Sequence, residues 1–330
     1  MKLWNVVLGV DVSKKTVDIC WAEQKLFIHV DNNSAGFCKF KKWCKDNRIN
    51  LQETFIVLEY TGGYEYRFIQ FCESQSIDYC RVPGLEIKKS MGMIRGKSDK
   101  ADAFRISRYG EEKLKRLEPD KPLDNNILEL KTLLSFRKRL VRESAGYQNT
   151  FKERKYMYEV DNQDLVIRIA KEKIEANTQY VREVESRIME LIKSKEGMYL
   201  NYRIITSIKG IGPVNGWMTI AYTENFTSFP DGRHYAVYVG VIPFEHTSGT
   251  SIKGRRRTSN LAQKELKQEL NQAAKIAMQH DPEIHTYAER KMKNKDYGLV
   301  LNNVKFKLIL RMFSLVKRGE MYVENYRRSA

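Results

Sequence analysis

Cysteine is scarce in this chain and is not arranged for cross-linking. Only five of its 330 residues are cysteine, an odd number, and no two of them have the CxxC spacing used by zinc sites and redox pairs. This pattern excludes a disulfide framework and a cysteine zinc site, and it favours reduced, partly buried thiols. We therefore expect a protein that works in a reducing compartment.

Long apolar stretches, internal repeats and low-complexity segments are also missing. No apolar run approaches the ~18 residues needed to cross a membrane. The first residues, 1–5, lead directly into a predicted strand and leave no room for a signal peptide. We expect a cytoplasmic protein with no membrane partner.

Negative charge is the next shortage. The chain has 41 Asp and Glu residues against 58 Lys and Arg residues, which gives a formal net charge of +17, and its isoelectric point is about 9.5. Such an excess favours a polyanionic partner, because nucleic acid releases counterions when basic side chains neutralise its phosphates. A basic protein with a merely solvated surface is the alternative. The length allows two or three domains, each with its own core.

Residues 3–113 have the pattern of an α/β domain. Three strand-like runs come first, and their short polar connections favour antiparallel neighbours. Helices and strands then alternate, which is the element order of the RNase H-like fold. The predicted strands are 3–12, 16–22, 25–30, 55–59 and 77–82, and the predicted helices are 35–46, 64–74 and the stretch that holds Asp99 and Asp102.

Four acidic residues stand where these elements begin or end. Asp11 ends the first apolar run and Glu59 ends a later one, while Asp99 and Asp102 are three apart and share one helix face. Carboxylates on two neighbouring strand ends, facing two from a helix, supply the oxygen ligands of hard divalent cations. Such a site can activate an attacking oxygen and neutralise a phosphate. The acids therefore favour phosphodiester chemistry on nucleic acid.

Other interpretations of the acids stay open at this point. The segment from Gly9 to Lys15 also suits the first phosphate loop of an actin-like sugar kinase, although no second phosphate loop or adenosine motif is present. Helix caps and ordinary surface acids are the remaining interpretation.

Residues 124–195 have the pattern of two long helices joined by a turn near 158–163. Along the second helix the apolar residues alternate steps of three and four, which is heptad spacing, with one polar residue on the seam. This seam favours an antiparallel or intermolecular coiled coil, and two ordinary core helices are the alternative. The seam residues are Ile167, Ala170, Ile174, Asn177, Val181, Val184, Ile188 and Leu191.

The last part of the chain, from about residue 200, combines glycine turns with a basic run. The segment Gly210-Ile211-Gly212-Pro213 resembles the turn of helix-hairpin-helix modules, whose amides meet phosphates, or else a helix C-cap followed by proline. Ser248 lies in a stretch of small residues, where a turn residue is commoner than a nucleophile. The basic run favours phosphate contacts, with a solvated loop as the alternative. It consists of Lys253, Arg255, Arg256 and Arg257.

Together these motifs resemble one known family, the DEDD transposases of insertion sequences. That family is related to the Piv/MooV DNA invertases, and some of its members are bridge-RNA-guided serine recombinases. The resemblance covers nearly the whole chain. The matching motifs are Gly9-x-Asp11-x-Ser13-Lys14, Glu59-x-Thr61-Gly62-x-Tyr64, Lys97-x-Asp99-x-x-Asp102-Ala103, Gly210-Ile211-Gly212-Pro213, and Gly240-x-x-Pro243 followed by Ser248-Gly249.

The resemblance implies a RuvC-like domain at 1–115 whose four acids bind Mg²⁺, a coiled coil at 116–199, and a mostly α-helical transposase domain at 200–330 in which Ser248 is the nucleophile. It implies an enzyme that cuts and rejoins DNA through a covalent phosphoserine. The expected partners are the DNA of the element ends and the target, a guide RNA, and further copies of the chain in a dimer or tetramer. The alternatives are a metal-only RuvC-like nuclease or Holliday-junction resolvase, and a non-catalytic nucleic-acid-binding scaffold.

Overall fold

A computed structural model of the protein contains two compact units. They comprise residues 1–123 and 124–330. The finer division at 115/116 and 199/200 stays a prediction. The structure describes residues 4–90, 98–158, 164–248, 252–258 and 262–324.

The first unit is built on a mixed five-stranded sheet. Its strand order is β3-β2-β1-β4-β5, in which the first three strands are antiparallel neighbours and β4 and β5 join β1 in parallel. The predicted order of three consecutive strands followed by alternating helices and strands is confirmed. The strands are β1 (Val6–Val12), β2 (Thr16–Trp21), β3 (Leu26–Asp31), β4 (Thr54–Glu59) and β5 (Asp78–Val82).

Helices cover both faces of this sheet, because both faces of the central strands are apolar. On one face Leu8 and Ile56 pack with Phe40 and Phe68, and on the other Val57 packs with residues of the last helix of the unit. The helices are α1 (Ser34–Asp46), α2 (Tyr66–Ser74), α3 (Gly84–Ser90) and α4 (Asp99–Lys113), with 3₁₀ turns at Leu51–Glu53 and Leu114–Arg116. The short α3 was absent from the sequence prediction.

The second unit begins with a long helical hairpin, α5 (Asn125–Tyr158) and α6 (Leu165–Lys193). Ion pairs link the two helices: Arg137 Nε lies 2.7 Å from Glu185 Oε1, and Arg187 Nε lies 2.8 Å from Glu129 Oε1. The predicted seam is buried or partly buried along α6. Its polar residue, Asn177, is 6% exposed, and its Nδ2 has no hydrogen-bond partner within the described ranges. The predicted turn falls on 159–163, outside the described residues.

The rest of the second unit is helical apart from one β-hairpin. Gly210, with φ +95°, lies in the turn between α7 and α8, where an added Cβ would be 2.4 Å from the Ala273 carbonyl oxygen, and Pro213 begins α8. This glycine–proline segment is therefore a helix boundary that packs tightly on α10. The helices are α7 (Glu196–Thr206), α8 (Pro213–Thr223), α9 (Gly232–Val239), α10 (Lys264–His280), α11 (Pro282–Met292) and α12 (Tyr297–Arg318).

The hairpin consists of β6 (Phe244–Ser248) and β7 (Ile252–Arg257). It lies where the sequence indicated a turn around Ser248 and left a solvated loop as the alternative for the basic run. Gly249 and Lys97, which belong to the motifs above, lie outside the described residues. None of the helices in the described ranges is long and apolar enough to cross a membrane.

Candidate active site

Two of the predicted acids lie side by side at one edge of the sheet. In the parallel pair β1–β4, Val10 is the partner of Leu58, and the next residues along the two strands are Asp11 and Glu59. Both acids are at the carboxyl ends of their strands, which lie at the same edge of the sheet. Side chains alternate between the two faces along each strand, so these two neighbours point to the same face. The prediction that these two acids come together is consistent with this register.

A further acid, which the sequence reasoning missed, extends this line across the sheet. Asp11 is directly opposite Asp18 of β2, and Asp18 is directly opposite His29 of β3. Cross-strand partners share a face, so Glu59, Asp11 and Asp18 form one line, which we call the acidic row. Asp18 is only 4% exposed. Its Oδ1 lies 2.9 Å from His29 Nδ1, at the end of the row.

Helix α4 reaches this face because Gly9 has no side chain. A Cβ at Gly9 would lie 2.0 Å from the Ser107 nitrogen and 2.4 Å from the Ala103 carbonyl oxygen, so the helix backbone rests directly on β1. Gly9 is two residues before Asp11 and therefore faces the same way. The first turn of α4 carries Asp99 and Asp102 after an N-cap at Ser98, whose hydroxyl accepts from the Ala101 amide at 3.2 Å.

The electrostatics of Asp11 link all the acids of the site. Burial first, and then the charges of Asp102, Glu59, Asp18 and Asp99, together raise the pKa of Asp11 from 3.8 to about 6. A carboxylate surrounded by carboxylates favours its neutral form. Among the described residues, the site therefore carries more negative charge than neighbouring cations neutralise.

One ion pair offsets part of that charge within the described part of the first unit. Arg105 Nη1 lies 2.6 Å from Asp102 Oδ1 on the same helix. The carboxylates of Asp11, Glu59 and Asp99 have no hydrogen-bond or ion-pair partner in the part of the chain that the structure describes. Glu59 points at α3, where Gly84 leaves room for it, since a Cβ there would lie 1.8 Å from Glu59 Oε1.

The donor set fits a hard divalent cation in its chemistry. It offers carboxylate oxygens, which Mg²⁺ and Mn²⁺ prefer, and an excess of negative charge that a cation would relieve. Within the described ranges, however, no three His, Cys, Asp or Glu side chains are close enough together to hold a metal ion. Asp102 is held by Arg105 instead. Loading a cation on all four predicted acids would require side-chain rearrangement, with Asp102 leaving Arg105.

Two buried polar residues fasten the loops that follow the acids. Asn32, 4% exposed, donates from Nδ2 to the carbonyl oxygens of Ser13 and Tyr64, both at 3.0 Å, and so joins the loop after β1 to the loop after β4. Glu65, 1% exposed, accepts from the Gly63 amide at 2.8 Å and from the Thr61 hydroxyl. Neither residue has a sequence signal beyond its place after a predicted strand or turn.

Ser248 and the basic run belong to the second unit. Ser248 is the last residue of β6, opposite Ile252, and Lys253 is opposite Thr247. The register shifts between Phe244 and His246, so that β7 contains one extra residue. The four predicted metal ligands thus lie in the first unit, while Ser248, Lys253 and Arg255 to Arg257 lie on one hairpin in the second.

Two transposase family models match the chain, one over the first unit and most of α5, the other within the second unit. The DEDD transposase model named for IS110 matches residues 8–153, which include all four predicted acids. The model described as "Transposase IS116/IS110/IS902 family" matches residues 202–289, which include Ser248 and the basic run.

Known proteins are similar along almost the whole chain. The "Pilin gene-inverting protein" of Moraxella lacunata is 26% identical over 324 residues, covering 96% of this chain and 97% of that protein. Its namesake from Moraxella bovis is 25% identical over 322 residues, with the same coverage. The "Insertion element IS110 uncharacterized 43.6 kDa protein" of Streptomyces coelicolor is 28% identical over 120 residues, covering 36% of this chain and 29% of that protein.

These matches make the chain a DNA transposase or site-specific recombinase. Its family is that of the DEDD transposases of insertion sequences, whose models match residues 8–153 and 202–289.

Proposed function

We propose that this protein is an insertion-sequence recombinase that cuts and rejoins DNA through a phosphoserine at Ser248, with Asp11, Glu59, Asp99 and Asp102 as ligands of Mg²⁺. The observation that carries the proposal is the acidic row beneath the first turn of α4, whose excess negative charge calls for a cation. The match of a transposase model to each unit supports the link to DNA.

The architecture that we propose agrees with this function. The strand order β3-β2-β1-β4-β5, with acids at the ends of β1 and β4 and on a following helix, supports an RNase H-like, RuvC-like fold for the first unit. The continuous apolar seam of α6 against α5 supports a coiled coil. The remaining helices and the β6–β7 hairpin would be the transposase domain.

The proposed reaction is a pair of phosphate transfers. Ser248 Oγ attacks the scissile phosphorus, a new P–O bond to serine forms, and the P–O bond to a deoxyribose oxygen breaks. The serine hydroxyl loses one proton and the leaving deoxyribose oxygen takes up one, so the step releases no net proton. Because one ester replaces another, attack by a deoxyribose hydroxyl on the phosphoserine rejoins a strand without a further energy source. When bound, Mg²⁺ would neutralise charge on the attacked phosphate.

Binding of nucleic acid would depend on the basic excess of the chain. Lys253 and Arg255 to Arg257 are proposed to contact phosphates of DNA, and a guide RNA would occupy further basic surface. Affinity should then fall steeply as salt rises, in proportion to the phosphates neutralised. A titration at several salt concentrations that gave a flat response would overturn this part of the proposal.

The covalent intermediate is tested directly. Wild-type protein with Mg²⁺ and labelled element-end DNA should give a slow, protease-sensitive band on a denaturing gel. Ser248→Ala should bind DNA but give neither the band nor cleavage, while the control Ser228→Ala, which changes an exposed hydroxyl bonded to Glu224 at 2.8 Å, should behave as wild type. Normal cleavage by Ser248→Ala would overturn the serine mechanism.

A metal-only RuvC-like nuclease or junction resolvase is the second candidate. The observation that favours it is that all four acids belong to one compact unit with its own cores. Such an enzyme would use water and leave no protein on the DNA. Cleavage without the adduct would therefore favour this candidate, and a lack of both would favour a non-catalytic nucleic-acid-binding scaffold.

Assembly into a dimer or tetramer is part of the proposal. The seam of α6 would pair with α5 or with another copy, and Asn177 would limit its register. Ile174→Asp combined with Val181→Asp should reduce the oligomer mass in light scattering or unfold the chain. An unchanged, well-folded oligomer would argue against the coiled coil.

A further inference from the structure

Two lysines of the second unit are buried or partly buried with no carboxylate of the described residues beside their ammonium groups. Lys305 of α12 is only 4% exposed, and Lys267 of α10 is partly buried. No acidic group among the described residues stabilises the charge of either side chain. We call these two residues the lysine pair.

The two ammonium groups lie within electrostatic reach of each other. Lys305 Nζ donates to Asn271 Oδ1 at 2.8 Å, and Asn271 is four residues after Lys267, so the two share a face of α10. Burial lowers the pKa of Lys305 to about 8, and the charge of Lys267 contributes to the same direction. Burial also lowers the pKa of Lys267.

Most of the hydrogen-bonding capacity of the lysine pair is unused. Each ammonium has three N–H donors, yet Lys305 has one acceptor, on Asn271, and Lys267 has one distant acceptor, Thr258 Oγ1 at 3.5 Å, among the described residues. Glu265 of α10 does not serve the pair, since it binds Lys138 of α5 at 2.7 Å. Buried charge without a partner destabilises a fold. An anion with several oxygens would supply what the pair lacks.

The lysine pair lies where the β6–β7 hairpin joins the helices. Thr258, which faces Lys267, is the first residue after β7. Asn302, three residues before Lys305 on α12, donates from Nδ2 to the carbonyl oxygen of Val241, in the segment that leads into β6. Both chain segments of the hairpin therefore meet the two helices beside the lysines. We call this place the hairpin root.

We propose that the lysine pair binds a backbone phosphate of the DNA strand whose scissile phosphate is attacked at the other end of the hairpin. This inference rests on the proposed role of Ser248. The chain from Val241, at the hairpin root, to Ser248 spans at most about 23 Å at roughly 3.3 Å per residue. That length corresponds to about seven base steps at about 3.4 Å each. The bound phosphate should thus lie within about seven nucleotides of the cleavage point.

The first test is a salt titration of binding to a short element-end duplex. It uses Ser248→Ala as the background, so that no strand is cut. Adding Lys267→Met and Lys305→Met should weaken binding roughly tenfold or more, and should reduce the slope of log affinity against log salt by about 0.9 for the one phosphate contact that is lost. Lys275→Met, which removes an exposed lysine of the same helix, should change neither. An unchanged slope in the double variant would overturn the inference.

The second test locates the phosphate. Single methylphosphonates, which remove one negative charge, are placed in turn along the strand near the cleavage point. A methylphosphonate at one position should weaken DNA binding by the protein that keeps both lysines. The same substitution should not weaken binding by the Lys267→Met, Lys305→Met variant any further. If no position in the DNA had an effect that depends on the two lysines, the inference would be overturned. It would also be overturned if such a position were found only in a guide RNA that carries the same substitutions.

The outcomes separate this inference from the proposed function. If the adduct assay fails but one DNA phosphate is still coupled to the lysine pair, the phosphate site stands and Ser248 loses its role. If the adduct forms but no phosphate is coupled, the lysine pair is not a DNA site. Folding of the double variant is checked by its melting temperature, and Lys305→Gln is the replacement if the methionine variant does not fold.

Discussion

The acidic row of the first unit and the lysine pair of the second each bring like charges close together, one on β-strands and the other on helices. The acidic row lies across strands of one sheet, each acid within a few residues of an apolar run. The lysine pair joins two helices, α10 and α12, that are separated by α11. Asp18 pairs with His29, and Lys305 bonds to the uncharged Asn271, but the other members of both groups have no charged partner among the described residues. On our proposals a metal cation would bind the acidic row and a DNA phosphate the lysine pair, so that each unit would hold like charges together for a ligand, at some cost in stability.

The largest expected effect separates chemistry from binding. Asp11→Asn or Glu59→Gln should lower DNA cleavage at least about a hundredfold, because each removes charge and an oxygen ligand from the site. Affinity for DNA should stay within about twofold of wild type, since the positive charge of the second unit is untouched. Labelled-DNA cleavage with Mg²⁺, and binding by fluorescence anisotropy, measure the two quantities.

Asp46→Asn, at the exposed end of α1, is the matched control for this prediction. It removes an equal charge outside the acidic row and should leave cleavage unchanged. If Asp11→Asn and Glu59→Gln cleaved DNA as fast as this control, the acidic row would have no part in the reaction.

The next effect concerns the close approach of α4 to β1. Gly9→Ala should destabilise the first unit by about 3 kcal/mol, because its Cβ would meet backbone atoms that cannot give way. Gly146→Ala, on α5 with nothing within 4 Å of the added Cβ, should instead gain up to about 1 kcal/mol from its lower unfolded-state entropy. Urea unfolding measures both, and an unchanged midpoint for Gly9→Ala would contradict the close packing of α4 on β1.

A smaller effect is the pH dependence of the acidic row. The pKa of folded Asp11 is raised from 3.8 to about 6, so its ionisation destabilises the folded state above pH 6, and the cost vanishes as the pH falls through 6 towards 3.8. Asp11→Asn should therefore raise the melting temperature by about 3 °C near neutral pH, and by less at acid pH. Mg²⁺ should raise the melting temperature of wild type more than that of the variant. A gain that grows at acid pH would contradict the assignment.

The lysine pair should show the opposite dependence. The pKa of folded Lys305 is lowered from 10.5 to about 8, so its charge destabilises the fold below pH 8, and the cost vanishes as the pH rises from 8 towards 10.5. Lys305→Met should raise the melting temperature by about 2 °C near pH 7 and lose this advantage in alkali. Inorganic phosphate should stabilise wild type more than Lys305→Met. Equal stabilisation by phosphate would weaken the contrast between the two regions.

The sequence revealed the acidic site better than the lysine pair, for a physical reason. Asp11 and Glu59 follow apolar strands, and Asp99 and Asp102 are three apart, so local spacing predicts where they lie. Asp18 was missed because its strand was interpreted from its apolar residues alone. Pairing β1 with β2 across their short connection would have placed it opposite Asp11.

Other features depend on packing that local patterns do not contain. The lysine pair requires knowing that α12 lies against α10, with Lys305 turned inwards. The stretch around Ser248 favours a turn by its glycine, serine and threonine residues, whereas the structure has a β-hairpin there. Helix α3 is only seven residues long and follows Pro83, so it gave no periodic signal. The long helices α5 and α6 were predicted because an apolar seam sustained over many turns is typical of packed helices.

The extra residue in β7 makes the direction of the hairpin depend on the exact length of this strand. Between the partners Phe244–Arg257 and His246–Gly254, two residues of β7 lie opposite one of β6. A bulge of this kind bends the strand and increases its twist, so it sets the direction in which the Ser248 end of the hairpin leaves the helices. Replacing one arginine in this segment removes a charge and keeps the bend. Deleting the same arginine should remove both the charge and the extra residue, and should therefore change the direction of the hairpin beyond it.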